Sequence, residues 1–329
     1  MNMQSEKRTK LHAIITQAFS EAAEKMEKEG ATIAEIEAKL FPKMAPAYNN
    51  LLETASNDIF EYMKTHMFEA SFCHDNETDE FISHNKSIWG EGFAASKTMY
   101  IMAVEAAQMH LEHIEDDIDK VEVQESQYKL FSLVSLHGRA CQIFLEILEL
   151  MKGGFADGAY ARWRSMFELC CIAQMIYNND EAVSKQYFEQ SETEEKSYAW
   201  LKGVLDASGK KIKHFSQIME LCDVDPTWKR QYNLGCLSIH ASPQGTFKRL
   251  SVYKSGNLIP AGRSDYGITT PAEHSALSLQ WITSLLLGIF PNLDSIATSN
   301  TIHEWSLHLR EIYFRANDNV FDTNNEGQE

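Results

Sequence analysis

Two stretches of the chain carry side chains that could hold an anion or move a proton. The first is Arg162-Trp163-Arg164-Ser165-Met166-Phe167-Glu168. Arg164 and Glu168 stand four residues apart, so on a helix they share a face and can pair. One reading is an intrahelical ion pair at a packing surface. The other is a guanidinium fixed by Glu168 over a cleft, where its planar fork would hold a phosphate; Arg162 would be a second clamp. The second stretch runs from Tyr232 to Thr246 and crowds Ser238, His240 and Ser242 ahead of Pro243 and Gly245. A histidine at a helix C-terminus is favoured in its charged form by the helix dipole, which is a structural reading. In the functional reading His240 is a general acid/base or phosphate ligand, with Tyr232, Ser238 and Ser242 as supporting hydrogen-bond groups.

The pairing of R-x-R-S-x-x-E with a later Tyr…Ser-x-His-x-Ser-Pro-x-Gly segment resembles the bacterial family catalogued as domain of unknown function 5677, over roughly Phe131 to Phe290. The resemblance implies no established activity. Such proteins recur among suspected stress or phage-defence genes, and some are distantly similar to HEPN helical bundles, which include RNA-cleaving toxins. The HEPN hallmark is an arginine followed four to six residues later by histidine on one helix. Arg230 and His240 are separated by nine residues and do not match it. A nuclease site in this chain would have to combine Arg162 or Arg164 with His240 across helices.

Charge narrows the ligand. The 329 residues carry 30 basic and 47 acidic side chains, a net of −17, which excludes a surface coated all round for nucleic acid or anionic membrane. The excess is uneven. Residues 1–128 hold 11 basic and 24 acidic side chains, whereas residues 202–263 hold 10 and 4. That basic segment contains the His240 motif, with Lys229, Arg230, Lys248 and Arg249 flanking it and Lys210, Lys211 and Lys213 upstream. A charge run is ordinarily a solvated face, yet a local positive patch on an acidic body also suits one selective anion site. Tyr232, Phe247 and Tyr253 add stacking surfaces for a nucleobase.

Other chemistries lack their spacing. There is no phosphate-wrapping G-x-x-x-x-G-K-[ST] loop, no G-x-G-x-x-G, no G-x-S-x-G and no H-E-x-x-H. None of the 12 histidines has an acidic residue three positions before it, so a ferritin-like di-iron centre is not expected, and no metal or cofactor is assigned. The six cysteines are scattered without a C-x-x-C and read as reduced thiols. The start lacks a secretory apolar stretch, and Ile282 to Phe290 is too short to span a bilayer, so a cytoplasmic protein with no membrane association is expected.

The elements that must position these residues read as helices. Leu11, Ile14, Ile15, Ala18, Phe19, Ala22 and Met26 mark one face, closed by Gly30. Thr32 and Glu35 form a capping box for a short helix expected to stop before Pro42, another begins near Pro46, and the polar residues 74–92, with Gly90 and Gly92, read as a connection. Long helical patterns follow at 93–121, 124–151 and 155–177, the last two broken by Gly153 and Gly154. Helices are expected at 181–205, 215–222 and from Pro226 behind an Asp225 N-cap. Residues 246–268 suggest a loop or small hairpin. Thr270 and Glu273 read as a capping box around Pro271, opening a helix to Phe290, and a closing helix carries Ile302, Trp305, Leu309 and Tyr313.

The fold expected is therefore an all-α multi-helix bundle with that short insertion. It divides into an amino-terminal extension (1–92), a main bundle (93–317) and a tail (318–329). The leading function expected is RNA or nucleotide binding at the basic site, extending to metal-independent RNA cleavage with His240, Arg164 and Glu168 as the catalytic set. The alternative is a non-catalytic interaction module, a sensor or antitoxin-like partner or homodimer, using the acidic front half.

Overall fold

A computed structural model of the chain describes residues 2–115, 121–195, 198–239, 243–247 and 261–322. These residues are helical almost throughout, and the sole strand-like pairing among them is an antiparallel bridge between Leu205 and Lys211. The helices are α1 (Asn2–Lys28), α2 (Ile33–Glu115), α3 (Val121–Gln124), α4 (Gln127–Lys152), α5 (Ala156–Asn178), α6 (Glu181–Ser191), α7 (Phe215–Leu221), α8 (Pro226–Ile239), α9 (Pro243–Phe247), α10 (Thr269–Leu287) and α11 (Leu293–Asn317). Two compact units contain them, Met1–Glu77 and Thr78–Glu329.

In the second unit α4, α5 and α10 pack on one another, with α11 against α10, α8 against α5 and α6 against α4. Apolar residues recurring at three- and four-residue steps make these faces: Leu133, Leu136, Ala140, Phe144, Ile147 and Met151 of α4 are all buried. Tryptophans at 89 and 163 and Tyr313 are the largest enclosed side chains. Helix α4 is also the one described helix long and apolar enough to cross a membrane, and half of its most apolar window is buried in this core. All six cysteines are unpaired.

In the first unit α1 and α2 are joined at Gly30, whose φ of +91° is the left-handed geometry a glycine accepts. Glu35 accepts from both the backbone N–H and the hydroxyl of Thr32 at 2.9 Å, which holds its carboxyl below the ordinary range. No described residue of this unit is fully buried.

Helix α2 corrects the expected breaks. It runs through Pro42, Pro46 and the whole of 74–92. A proline inside a helix removes one backbone hydrogen bond and strains one turn, yet α2 continues past both. Gly92 is not a breaker but a clearance: a Cβ there would lie 2.7 Å from the Tyr313 ring. Further on, α6 ends at Ser191 rather than near 205, and only a short 3-10 turn, Ala199–Leu201, follows. Thr270 and Glu273 form no capping box: α10 starts at Thr269 with no side-chain cap, and Glu273 pairs instead with Arg310. Of the expected 246–268 insertion, Thr246 and Phe247 end helix α9, and 248–260 lie outside the described residues.

Candidate functional site

The glycine turn between α4 and α5 sets the direction of α5. Gly154 has φ +76°, and a Cβ there would fall 2.4 Å from the Phe81 ring, so this turn closes only on glycine. Asn85 donates to the carbonyls of Met151 and Lys152 at 3.0 and 2.9 Å, and Arg263 to that of Gly153 at 2.7 Å, capping the end of α4. Helix α5 then buries Trp163, Met166, Phe167, Cys170 and Cys171 and leaves Arg164 and Glu168 on its half-buried flank. Helix α8 packs on α5. It starts where the Thr227 N–H donates to Asp225 at 2.6 Å, and Gly235 brings its backbone beside Arg164 and the Tyr160 carbonyl.

Tyr232 of α8 joins the pair on α5. Arg164 Nη2 donates to the Tyr232 hydroxyl at 2.7 Å, and that hydroxyl donates to Glu168 Oε1 at 2.7 Å. Arg164 and Glu168 also pair directly at 3.1 Å, and the guanidinium carbon lies 4.8 Å from the Tyr232 ring centre. Burial works against the guanidinium charge, but the phenol hydrogen bond and Glu168 outweigh it and hold its pKa above the ordinary value. Burial, then the bond to Glu168, push the Tyr232 phenol up, so it stays a donor. Tyr198 is raised by burial and next by Glu168. Arg164 Nε is buried and finds no hydrogen-bond partner among the described residues. Behind the cluster, Phe167 contacts Tyr232 at 5.5 Å and stacks on Trp228 at 5.6 Å between centroids, and His274 meets Trp163 edge-on at 4.8 Å.

The expected site residues separate into groups. Arg164, Glu168 and Tyr232 come together. Arg162 does not join them; two residues away on the helix it turns to α4 and pairs with Glu146, which Arg139 also approaches at 3.8 Å. The two arginines therefore form no common clamp. Arg230 is exposed on α8, and Ser238 lies in that helix's last turn. His240, Ser242, Lys248 and Arg249 lie outside the described residues. Among the described residues no group of three or more His, Cys, Asp or Glu could hold a metal, and His110 is committed to the Ile289 carbonyl at 2.8 Å.

One feature of the sequence ties these helices to other proteins. Residues 130–201 match the model of a family of unknown function, DUF5677. No curated protein and no solved structure matches the chain. The match spans α4, α5 and α6 and includes the Arg162–Glu168 motif, while the Tyr232–Gly245 motif falls beyond it.

The DUF5677-matching stretch also walls a cleft of about 530 Å³ that sequence reasoning missed. Phe131, Ser132 and Ser135 of α4 form one side, Tyr187, Phe188, Gln190 and Ser191 of α6 the other, and Glu192, Glu195 and Trp200 complete the lining. Every lining residue lies inside 130–201. Four aromatic residues, Phe131, Tyr187, Phe188 and Trp200, line it together with three serines, Gln190 and two glutamates. No spacing signals it, because it forms where two helices distant in sequence lean together.

Proposed function

We propose that the protein binds a phosphate-bearing ligand, RNA or a nucleotide, at the Arg164–Tyr232–Glu168 cluster. The observation carrying this reading is the guanidinium itself. Its Nη2 edge is occupied by Tyr232 and Glu168, which fix its plane, while the Nε–H is buried with no partner among the described residues. A buried donor of that kind is costly unless an acceptor meets it, and a phosphate oxygen is an acceptor of the right charge and shape. The side chain as a whole is 26% exposed, so part of the guanidinium borders solvent, and a ligand would have to displace its cover to reach the Nε–H. Helix α8 also carries Lys229 one turn before Tyr232, in the segment whose charge opposes that of the rest of the chain.

Fluorescence anisotropy with a labelled single-stranded RNA, in EDTA, tests the reading. Binding should weaken as salt rises. Arg164→Ala should reduce affinity roughly 10- to 100-fold, the worth of one charge-assisted contact, and Arg162→Ala should leave it near wild type. Equal affinities for Arg164→Ala and wild type would refute the assignment. In the cleaving form of this reading His240 serves as acid/base. RNA that is cut without metal by wild type and left whole by His240→Ala would extend binding to catalysis.

A further inference from the structure

Helix α2 carries a second apolar stripe within the first unit. Phe41, Tyr48, Leu52, Phe60, Met63 and Met67 recur at steps of three and four or their sums, the signature of a single helix face. Each is at least 44% exposed. The stripe lies beside, not on, the half-buried row of Ile36, Leu40, Met44, Leu51, Ala55 and Ile59. An apolar face this long, in a unit with no fully buried residue among those described, is left without cover.

The spacing identifies the cover. About position 54 the stripe pairs Phe41 with Met67, 13 residues to either side, and Tyr48 with Phe60, six to either side, while Met63 and Leu52 fall opposite the small residues Ala45 and Ser56 on the same face, nine and two away. A two-fold axis through that point sets each member against its mate in a second copy, and two of these pairs oppose a small residue to a large one, Ala45 to Met63 and Ser56 to Leu52. We propose that this face is a homodimer interface in which two copies of α2 cross antiparallel about residue 54.

Self-complementarity of this kind is what an isologous interface requires, residue i on j and j on i. The alternation of small and large allows the helices to interlock. Charge selects the antiparallel sense. Residues 49–77 carry six acidic side chains and one lysine, whereas 33–48 carry two of each sign, so a parallel pair would set acid against acid. The six side chains leave on the order of 600 Å² of apolar surface per copy. Two copies would bury about 1,200 Å², at the threshold of a specific stable interface before any rim contact is added. The inference is independent of the anion-site reading.

Sedimentation equilibrium of the full chain at micromolar concentration should give a dimer. Phe60→Glu places a carboxylate in the interface twice, once per copy, and should raise the dimer dissociation constant at least about 100-fold with the far-UV helical signal retained. Disulfide trapping provides a measurement that does not depend on disruption. In a Cys73→Ser background, the double variant Ala45→Cys/Met63→Cys should form a covalent dimer on air oxidation, and Ala45→Cys alone should not. A monomer at these concentrations, a dimer indifferent to Phe60→Glu, or cross-linking by Ala45→Cys alone would each overturn the proposal.

Discussion

Alanine in place of Gly92 and alanine in place of Gly138 are the same chemical change in two helix interiors, and they should move stability in opposite directions. At Gly92 the added methyl would lie 2.7 to 2.9 Å from three carbons of the Tyr313 ring. That ring is fully enclosed, its hydroxyl is bonded to Ser96 Oγ at 3.0 Å, and Trp89 and Phe93 flank it with centroids 5.9 and 6.3 Å away. It cannot swing aside as an exposed side-chain tip would. Overpacking of this kind costs about 1–3 kcal/mol, and the better helix propensity of alanine returns about 1 kcal/mol or less. The net expectation is a loss of about 1–2 kcal/mol. At Gly138 nothing stands within 4 Å of the new atom, so the propensity acts alone and the variant should gain about 0.5–1 kcal/mol. Urea denaturation followed by tryptophan fluorescence measures both, with Trp89 reporting from beside the perturbed ring. A Gly92→Ala protein as stable as wild type would refute the close packing of α2 on α11. Equal losses at the two glycines would show that Gly138 is not the open position described.

Three further outcomes follow from the same geometry. Tyr232→Phe keeps Arg164 and Glu168 adjacent but removes the hydroxyl that joins them, and should cost about 1–2 kcal/mol in the same assay; an unchanged midpoint would mean those bonds add nothing. His137 is buried and neutral, with its pKa pushed down to about 4 by burial; because the Thr283 hydroxyl already donates to the Leu279 carbonyl at 2.7 Å, His137 Nε2–H donates to Thr283 Oγ1 at 3.1 Å. The unfolded chain binds this proton near pH 6.5 and the folded chain only near 4, so its contribution is intact above 6.5 and is lost as pH falls between those values. Denaturation midpoints across that window should therefore fall less steeply for His137→Gln than for wild type. Asn292→Ala removes the acceptor of the Ser295 N–H at 2.7 Å, which caps α11, and should lower stability by about 1 kcal/mol; no change in the urea midpoint would count against the cap.

What was legible in the sequence was local. Apolar steps of three and four residues located α4, α5 and α10, and Asp225 marked the start of α8 because a cap needs only its own two neighbours. The pairing of Arg164 with Glu168 followed from a spacing of four. What misled was also local. Pro42, Pro46, Gly90 and Gly92 read as breaks, although the purpose of Gly92 is set by Tyr313, 221 residues further on. Glu273 had a capping position but found Arg310 on the packed helix α11. Nearness along the chain groups Arg162 with Arg164, whereas a helix sends residues two apart to different sides, and Glu146 on α4 receives Arg162. The cleft between α4 and α6 had no signal at all, since it is a product of packing rather than of any motif.

The capping of α4 bears on where the molecule can be cut. The stretch shared with DUF5677 ends its first helix on hydrogen bonds from Asn85 and Arg263, which lie on either side of it in the chain. Its central tryptophan, Trp163, gives its N–H to Ser278 at 3.0 Å, Cys170 leans on the carbonyl of the same serine, and Gln174 receives Trp281 at 2.9 Å. Excised at 130 and 201, this stretch would present bare aromatic surface and open helix-end carbonyls to water. The recognisable piece of this chain is thus only one part of a packed whole, and α2 and α10 are the scaffolding any fragment must bring with it to stand.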